Sequence, residues 1–109
     1  MFELFLVAFI SSKELCVIQS DMTPYCYEAG FGEKANPTTL GSFLVKQVVI
    51  GPKNKRLGSA FIQLMGGTGI HGNYSEESRY TKGCIKVRDF AAEWLASHVK
   101  VGTKVIIVR

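Results

Sequence analysis

Short apolar runs, separated by polar or glycine-containing turns, recur along most of this chain. They occupy residues 2–10, 15–19, 24–31, 42–51, 59–65, 69–71 and 105–108. Their β-branched and aromatic content and their short lengths are typical of β-strands. Only residues 88–99 predict a helix, with Asp89 as its expected N-cap and with an apolar face formed by Phe90, Trp94, Leu95 and Val99. The pattern predicts a mainly β fold, a sandwich or curled mixed sheet, with one principal helix near the C-terminus.

The length of 109 residues is that of one domain, which we expect to span residues 1–109. The first ten residues are apolar apart from Glu3, but they have no basic segment and no clear cleavage site, so they predict a strand and not a signal peptide. Apolar runs are all much shorter than a membrane span, and we therefore expect no membrane-spanning segment.

Composition and charge narrow the function classes. Hydrophobic residues make up 47% of the chain and charged residues 20%, so the chain is expected to fold. The net charge of +4 is spread along the sequence. A nucleic-acid partner is not expected, because the chain has neither a clustered basic patch nor a nucleic-acid-binding motif. A solvated basic surface is the simpler interpretation, and attraction to an anionic polymer such as a cell wall stays open.

The chain has three cysteines, and no two form a C-x-x-C pair. This spacing argues against a zinc knuckle or a thioredoxin-type site. Cys16 and Cys26 lie on two segments of a predicted hairpin. A turn at residues 21–22 would place Cys16 opposite Tyr27 and turn Cys26 to the other face of the sheet. A disulfide is then disfavoured, and both side chains are expected to be small buried apolar groups.

Residues 67–72 match G-x-G-x-x-G, a pattern found in dinucleotide sites. Such a site requires a helix to begin there, so that its N-terminus faces the pyrophosphate. Residues 73–79 have no apolar face with which a helix could pack. The glycines are therefore expected to allow close backbone approach instead.

His71 and Cys84 are the candidate reactive pair. Taken alone, a histidine is most often a structural residue and a cysteine most often fills a core. Small neighbours, Gly72 and Gly83, favour substrate access to both side chains. Gly83 also lets the backbone N–H groups near Cys84 converge, as an oxyanion hole requires. Lys82 adds a positive charge that would favour the thiolate if it lay beside the sulfur, which is our expectation.

The segment G-I-H-G at residues 69–72, followed by a polar loop and T-K-G-C-I-K at residues 81–86, resembles the signature of the YkuD-like L,D-transpeptidases. That signature is I-H-G, a loop, and then S/T-H-G-C-I-R. Further segments are similar in order: residues 36–43 to T-P-T-P-x-G-x-F, residues 57–60 to the strand before the histidine, and the C-terminal residues to the family's closing motif. The resemblance covers nearly the whole chain.

The resemblance implies a cysteine-dependent L,D-transpeptidase that makes 3→3 cross-links in peptidoglycan. Cys84 would be the nucleophile and His71 the general base, with backbone N–H groups of Gly83 and Cys84 as the oxyanion hole. The implied substrate-binding residues are Gly72, Asn73, Tyr80, Lys82 and Lys86. The implied mechanism needs no metal and no organic cofactor. The implied partners are peptidoglycan stem peptides, with carbapenem-type β-lactams as inhibitors, and the implied location is the cell envelope, periplasmic or otherwise extracytoplasmic.

Lys82 stands where the family has histidine, Lys86 stands where it has arginine, and the interval of thirteen positions from His71 to Cys84 is short. Two alternatives follow. The protein could be an L,D-carboxypeptidase that uses water as acceptor, or a catalytically weak peptidoglycan-binding module of the same fold, and the lysine at position 82 favours the second.

Overall fold

A computed structural model describes residues 4–109. In this part of the chain the elements are, in order, β1 (Leu4–Phe9), β2 (Glu14–Gln19), β3 (Tyr25–Gly30), β4 (Gly41–Ile50), a 3₁₀ turn (Lys55–Leu57), β5 (Ala60–Leu64), β6 (Gly69–His71), β7 (Ile85–Val87), α1 (Asp89–His98) and β8 (Lys104–Val108). The start of the predicted strand over residues 2–10 lies outside the described residues. Strand β7 was not predicted.

The eight strands close into a barrel in the order β1-β2-β3-β7-β6-β5-β4-β8. The pairs β1–β8 and β6–β7 are parallel and the others antiparallel. The predictions of a mainly β fold, a mixed sheet and one principal helix are confirmed. The sandwich is wrong, because β8 pairs with β4 on one side and with β1 on the other, so the sheet closes on itself instead of splitting into two layers.

Alternation along the strands builds one core inside the barrel. In β5, Ala60, Ile62 and Leu64 are buried while the residues between them are only half-buried. In β8, Val105 and Ile107 are buried in the same way. Each fully buried aliphatic side chain of this kind stabilises the fold by roughly 1.5–3 kcal/mol relative to exposure.

Helix α1 packs against β5, β4 and β6. The helical prediction is confirmed, but its details differ. The N-cap is Arg88, which makes no side-chain capping bond, and Asp89 is the first helical residue. The buried face of the helix is formed mostly by alanines and includes the predicted Leu95. Phe90 is 63% exposed, so its predicted place on that face is wrong.

The β2–β3 hairpin differs from its prediction by one position. Cys16 is the direct register partner of Cys26, and a disulfide joins them. The two strands are connected by residues 20–24, and not by the expected two-residue turn, so the pairing shifts by one residue and brings both sulfurs to the same face. The expectation of two unlinked buried thiols is therefore wrong: Cys16 is buried, but Cys26 is exposed.

Candidate active site

His71 is the last residue of β6, and Cys84 directly precedes β7, the strand that pairs with β6. The strands run parallel, with Ile70 opposite Ile85 and His71 opposite Lys86. Both isoleucines are fully buried in the core. Because side chains alternate along a strand, His71 and Lys86 lie on the outer face of the barrel wall. Cys84, in the bend before β7, is half-buried.

The His71 imidazole is 7% exposed and its Nδ1 lies 2.7 Å from the carbonyl oxygen of Gly72. A carbonyl can only accept, so Nδ1 carries the proton and Nε2 keeps its lone pair. Burial lowers the pKa of His71 below its usual 6.5, and the positive charge of Lys86 lowers it further, while the hydrogen bond to Gly72 acts in the opposite direction. These surroundings therefore favour the neutral form of the ring.

Lys86 is a buried cation, and it is the register partner of His71 in the pairing of β6 with β7. Its side chain is 8% exposed, and its Nζ donates to the Ser78 Oγ at 2.9 Å. Ser78 belongs to the segment between β6 and β7, whose Tyr74 N–H donates to the Val87 carbonyl. The segment is thus held across the outside of β7. An ammonium has three donors, so Lys86 keeps capacity for a further acceptor.

The turn that carries Cys84 is organised by one hydroxyl. Thr81 Oγ1 accepts from the Gly83 N–H at 3.0 Å and donates to the Cys84 carbonyl at 2.6 Å. Gly83 has φ +129°, a conformation that favours glycine. The Gly83 N–H, expected as an oxyanion donor, is engaged with Thr81 in this structure.

Asp89 has a role at the site that the sequence did not indicate. Its Oδ1 accepts from the backbone N–H of Ser59 at 3.1 Å and of Asn73 at 2.9 Å. A Cβ at Gly72 would collide with this same carboxylate oxygen, so glycine is required there. Asn73 adopts φ +76°, in the left-handed region. The carboxylate therefore fixes the turn that immediately follows His71; only a contact between residues far apart in sequence reveals this.

Cys84 is the one free thiol among the described residues, because Cys16 and Cys26 are bonded to each other. A carboxylate oxygen of Glu14 lies near both bonded sulfurs, and the three atoms are all within 4.8 Å of one another. Metals bind the thiolate form of cysteine, which a disulfide does not provide.

No helix within residues 4–109 is long and apolar enough to cross a membrane.

A family profile described as the L,D-transpeptidase catalytic domain, YkuD, matches residues 5–107. The match includes both strands of the candidate site and nearly the whole chain. The chain belongs to the YkuD family. This confirms the resemblance drawn from the histidine and cysteine motifs.

Solved L,D-transpeptidases share the YkuD fold of this chain. One from Mycobacterium smegmatis has a TM-score of 0.82 at 22% identity, over 99% of this chain and 59% of that one. One from Mycobacterium tuberculosis H37Rv has a TM-score of 0.85 at 20% identity, over 99% and 58%. A third, in complex with imipenem, has a TM-score of 0.79 at 23% identity, over 98% and 59%. This chain therefore spans less than two thirds of each, and no curated protein matches it.

Three predicted substrate-binding residues of this YkuD domain, Asn73, Tyr80 and Lys82, are exposed. Lys82 lies on the surface of the turn before Cys84, where solvent screens its charge, and this exposure gives no support to the expectation that it lies beside the sulfur. Tyr80 is 63% exposed and lines a small groove of about 90 Å³ together with Lys13 and Arg79. The residues that line this groove do not include His71 or Cys84.

Proposed function

We propose that this domain is a peptidoglycan L,D-transpeptidase that forms 3→3 cross-links through a thioester on Cys84, with His71 as general base. One observation carries the proposal: the buried His71 ends β6, and the free thiol of Cys84 directly precedes β7, the parallel neighbour of β6, in a YkuD domain. Cα atoms on neighbouring strands, offset by two residues, are roughly 8 Å apart, a separation that two side chains directed toward each other can bridge.

In the first half-reaction, the Cys84 thiol attacks the carbonyl between the L-centre of the third stem residue and D-alanine. Nε2 of His71 takes the thiol proton, and the resulting imidazolium returns it to the amine of the departing D-alanine. Sulfur and acyl carbon form the thioester while the peptide C–N bond breaks. In the second half-reaction a side-chain amine of another stem attacks the thioester, loses its proton to His71 and releases Cys84.

The tetrahedral intermediate needs donors for its oxyanion. The Cys84 N–H is the proposed first donor. Gly83 can contribute its own N–H only if that group is shared with, or released from, the Thr81 hydroxyl. Gly72, Asn73, Tyr80, Lys82 and Lys86 remain the proposed substrate-binding residues. The unfilled donors of Lys86 suit a stem carboxylate, although the ligand would have to displace or share Ser78.

We further propose that the domain acts in the cell envelope, outside the cytoplasm. The disulfide between Cys16 and Cys26 supports this location, because disulfides persist in oxidising compartments and are rare in the cytosol. A carbapenem is the proposed inhibitor class, supported by the similar fold of the imipenem complex.

Intact-protein mass spectrometry tests the proposed chemistry. Incubation with imipenem should add one acyl group to the wild-type protein and none to Cys84→Ala. Purified tetrapeptide stems should yield a 3→3 dimer; release of tripeptide without dimer would indicate an L,D-carboxypeptidase. A folded wild-type protein that neither reagent acylates would contradict the enzyme and favour the binding module.

A further inference from the structure

The hydroxyl of Thr81 joins two backbone groups on either side of the reactive cysteine. It accepts from the Gly83 N–H and donates its proton to the Cys84 carbonyl, at 3.0 and 2.6 Å. The first bond fixes the peptide before Gly83, and the second fixes the peptide after Cys84. The Cα–Cβ bond of Cys84 lies between these two peptides, so one side chain restricts the direction in which the cysteine side chain leaves the backbone.

The backbone of Thr81 is itself held in place. Its N–H donates to the Phe31 carbonyl at 3.1 Å, and its carbonyl accepts from the Glu33 N–H at 2.9 Å. Gly32, between these partners, forms a parallel bridge with Thr81 and donates to the Thr38 Oγ1 at 2.8 Å. Thr81, which carries the hydroxyl, is therefore paired with the segment that continues β3. Gly83 has open space around its Cα and no side chain that could hold the turn.

We propose that Thr81 is a positioning residue for the transfer reaction, which sets the orientation of Cys84 and leaves the Cys84 N–H as the oxyanion donor. The inference rests on the proposed function. The two hydrogen bonds of the Thr81 hydroxyl give a reason for a threonine three residues before the nucleophile. The proposal also assigns the Gly83 N–H to the support of the turn instead of to the oxyanion. Misplacing a reacting group by about 1 Å can slow an enzyme on the order of 10²-fold, which is the scale of the expected effect.

Three variants separate this role from simple packing. Thr81→Val keeps the side-chain shape and removes both hydrogen bonds, and Thr81→Ser keeps the hydroxyl. Thr103→Val is the matched control, because Thr103 Oγ1 also accepts a backbone N–H, from Lys100 at 2.9 Å, in the turn before β8. Each protein is measured for acylation of Cys84 by imipenem and by a tetrapeptide stem, and for alkylation of the same thiol by iodoacetamide.

Acylation depends on the orientation of the sulfur and on the oxyanion donor, whereas alkylation by a small reagent requires only an accessible thiol. Thr81→Val should slow acylation roughly 10–100-fold while changing alkylation far less. Thr81→Ser and Thr103→Val should retain most of the wild-type ratio of the two rates. Amide hydrogen exchange at Gly83 should be slow in wild type and Thr81→Ser and fast in Thr81→Val. If the valine variant does not fold, Thr81→Ala replaces it in the same measurements.

Equal acylation-to-alkylation ratios in wild type and the folded hydroxyl-less variant would overturn the role of Thr81 and leave the proposed function standing. So would an unchanged exchange rate at Gly83. A wild-type protein that iodoacetamide alkylates but that neither acylating reagent modifies would overturn the proposed function and, with it, the role of Thr81. The two failures are thereby distinguished.

Discussion

The side chain of His71 is kept neutral by its surroundings. Burial is the main cause of its lowered pKa, and the neighbouring Lys86 charge acts in the same direction. The hydrogen bond to the Gly72 carbonyl partly offsets both and fixes the proton on Nδ1. In the proposed reaction, a neutral imidazole can take the thiol proton without first losing one.

The same pKa shift predicts a pH dependence of stability. In the unfolded chain the pKa of His71 returns to its usual 6.5. At and below this pH the unfolded chain therefore binds a proton at His71 more readily than the folded protein does. Stability should therefore be complete above that pH and fall as the pH drops through it. Denaturant unfolding between pH ~7.5 and ~5 should show this loss in wild type and in His98→Asn, and a smaller one in His71→Asn. Equal slopes for wild type and His71→Asn would contradict a lowered pKa.

At the residue level, the sequence was informative where a local motif carried the chemistry. His71 and Cys84 were singled out by their glycine neighbours and by the family signature. Asp89 and Thr81 were not given their roles, because each acts through backbone groups whose positions depend on the fold. Lys82 was expected beside the sulfur on sequence proximity alone, yet it is exposed. The buried cation closest in register to the histidine is Lys86, and this was visible only in the pairing of β6 with β7.

At the level of elements, most strands were predicted from short apolar runs, and their boundaries shifted by one or two residues. The predicted register of the β2–β3 hairpin was wrong, because the residues that connect the two strands are compatible with more than one turn length. Strand β7 has three residues, too few to show alternation, and its hydrogen bonds come from strands distant in sequence. Its position next to β6 depends on tertiary pairing, which no local pattern encodes.

The β2–β3 hairpin should lose stability when its disulfide is removed. In the double variant Cys16→Ala/Cys26→Ala the free energy of unfolding should be lower by about 2–4 kcal/mol, because the unfolded chain gains conformational entropy without the cross-link. Reduction with dithiothreitol should destabilise wild type and Cys84→Ala alike, since both retain the bridge. Chemical denaturation with and without reductant measures the effect. If reductant does not change the unfolding midpoint of either protein, the bridge contributes nothing to stability.

At the scale of the whole molecule, closure of the barrel depends on the last strand. β8 lies between β1 and β4, so the last strand of the barrel along the chain joins the first strand to the fourth. The apolar pattern of residues 105–108 predicted a buried strand but could not indicate its partners. A curled sheet and a closed barrel have the same alternation, and only the pairing of β8 with both neighbours decides between them.

Closure by β8 predicts a contrast between two adjacent positions. Ile107 is 1% exposed inside the barrel and Val108 is 36% exposed on the opposite face. Ile107→Ala should cost about 2–5 kcal/mol, because it removes core contacts and leaves a cavity. Val108→Ala should cost less than about 1 kcal/mol, as expected for a surface position. In conditions where both variants are folded, Cys84 should alkylate at the wild-type rate, because β8 lies across the barrel from β7. Equal destabilisation by the two substitutions in denaturant unfolding would show that β8 does not close the core in this register.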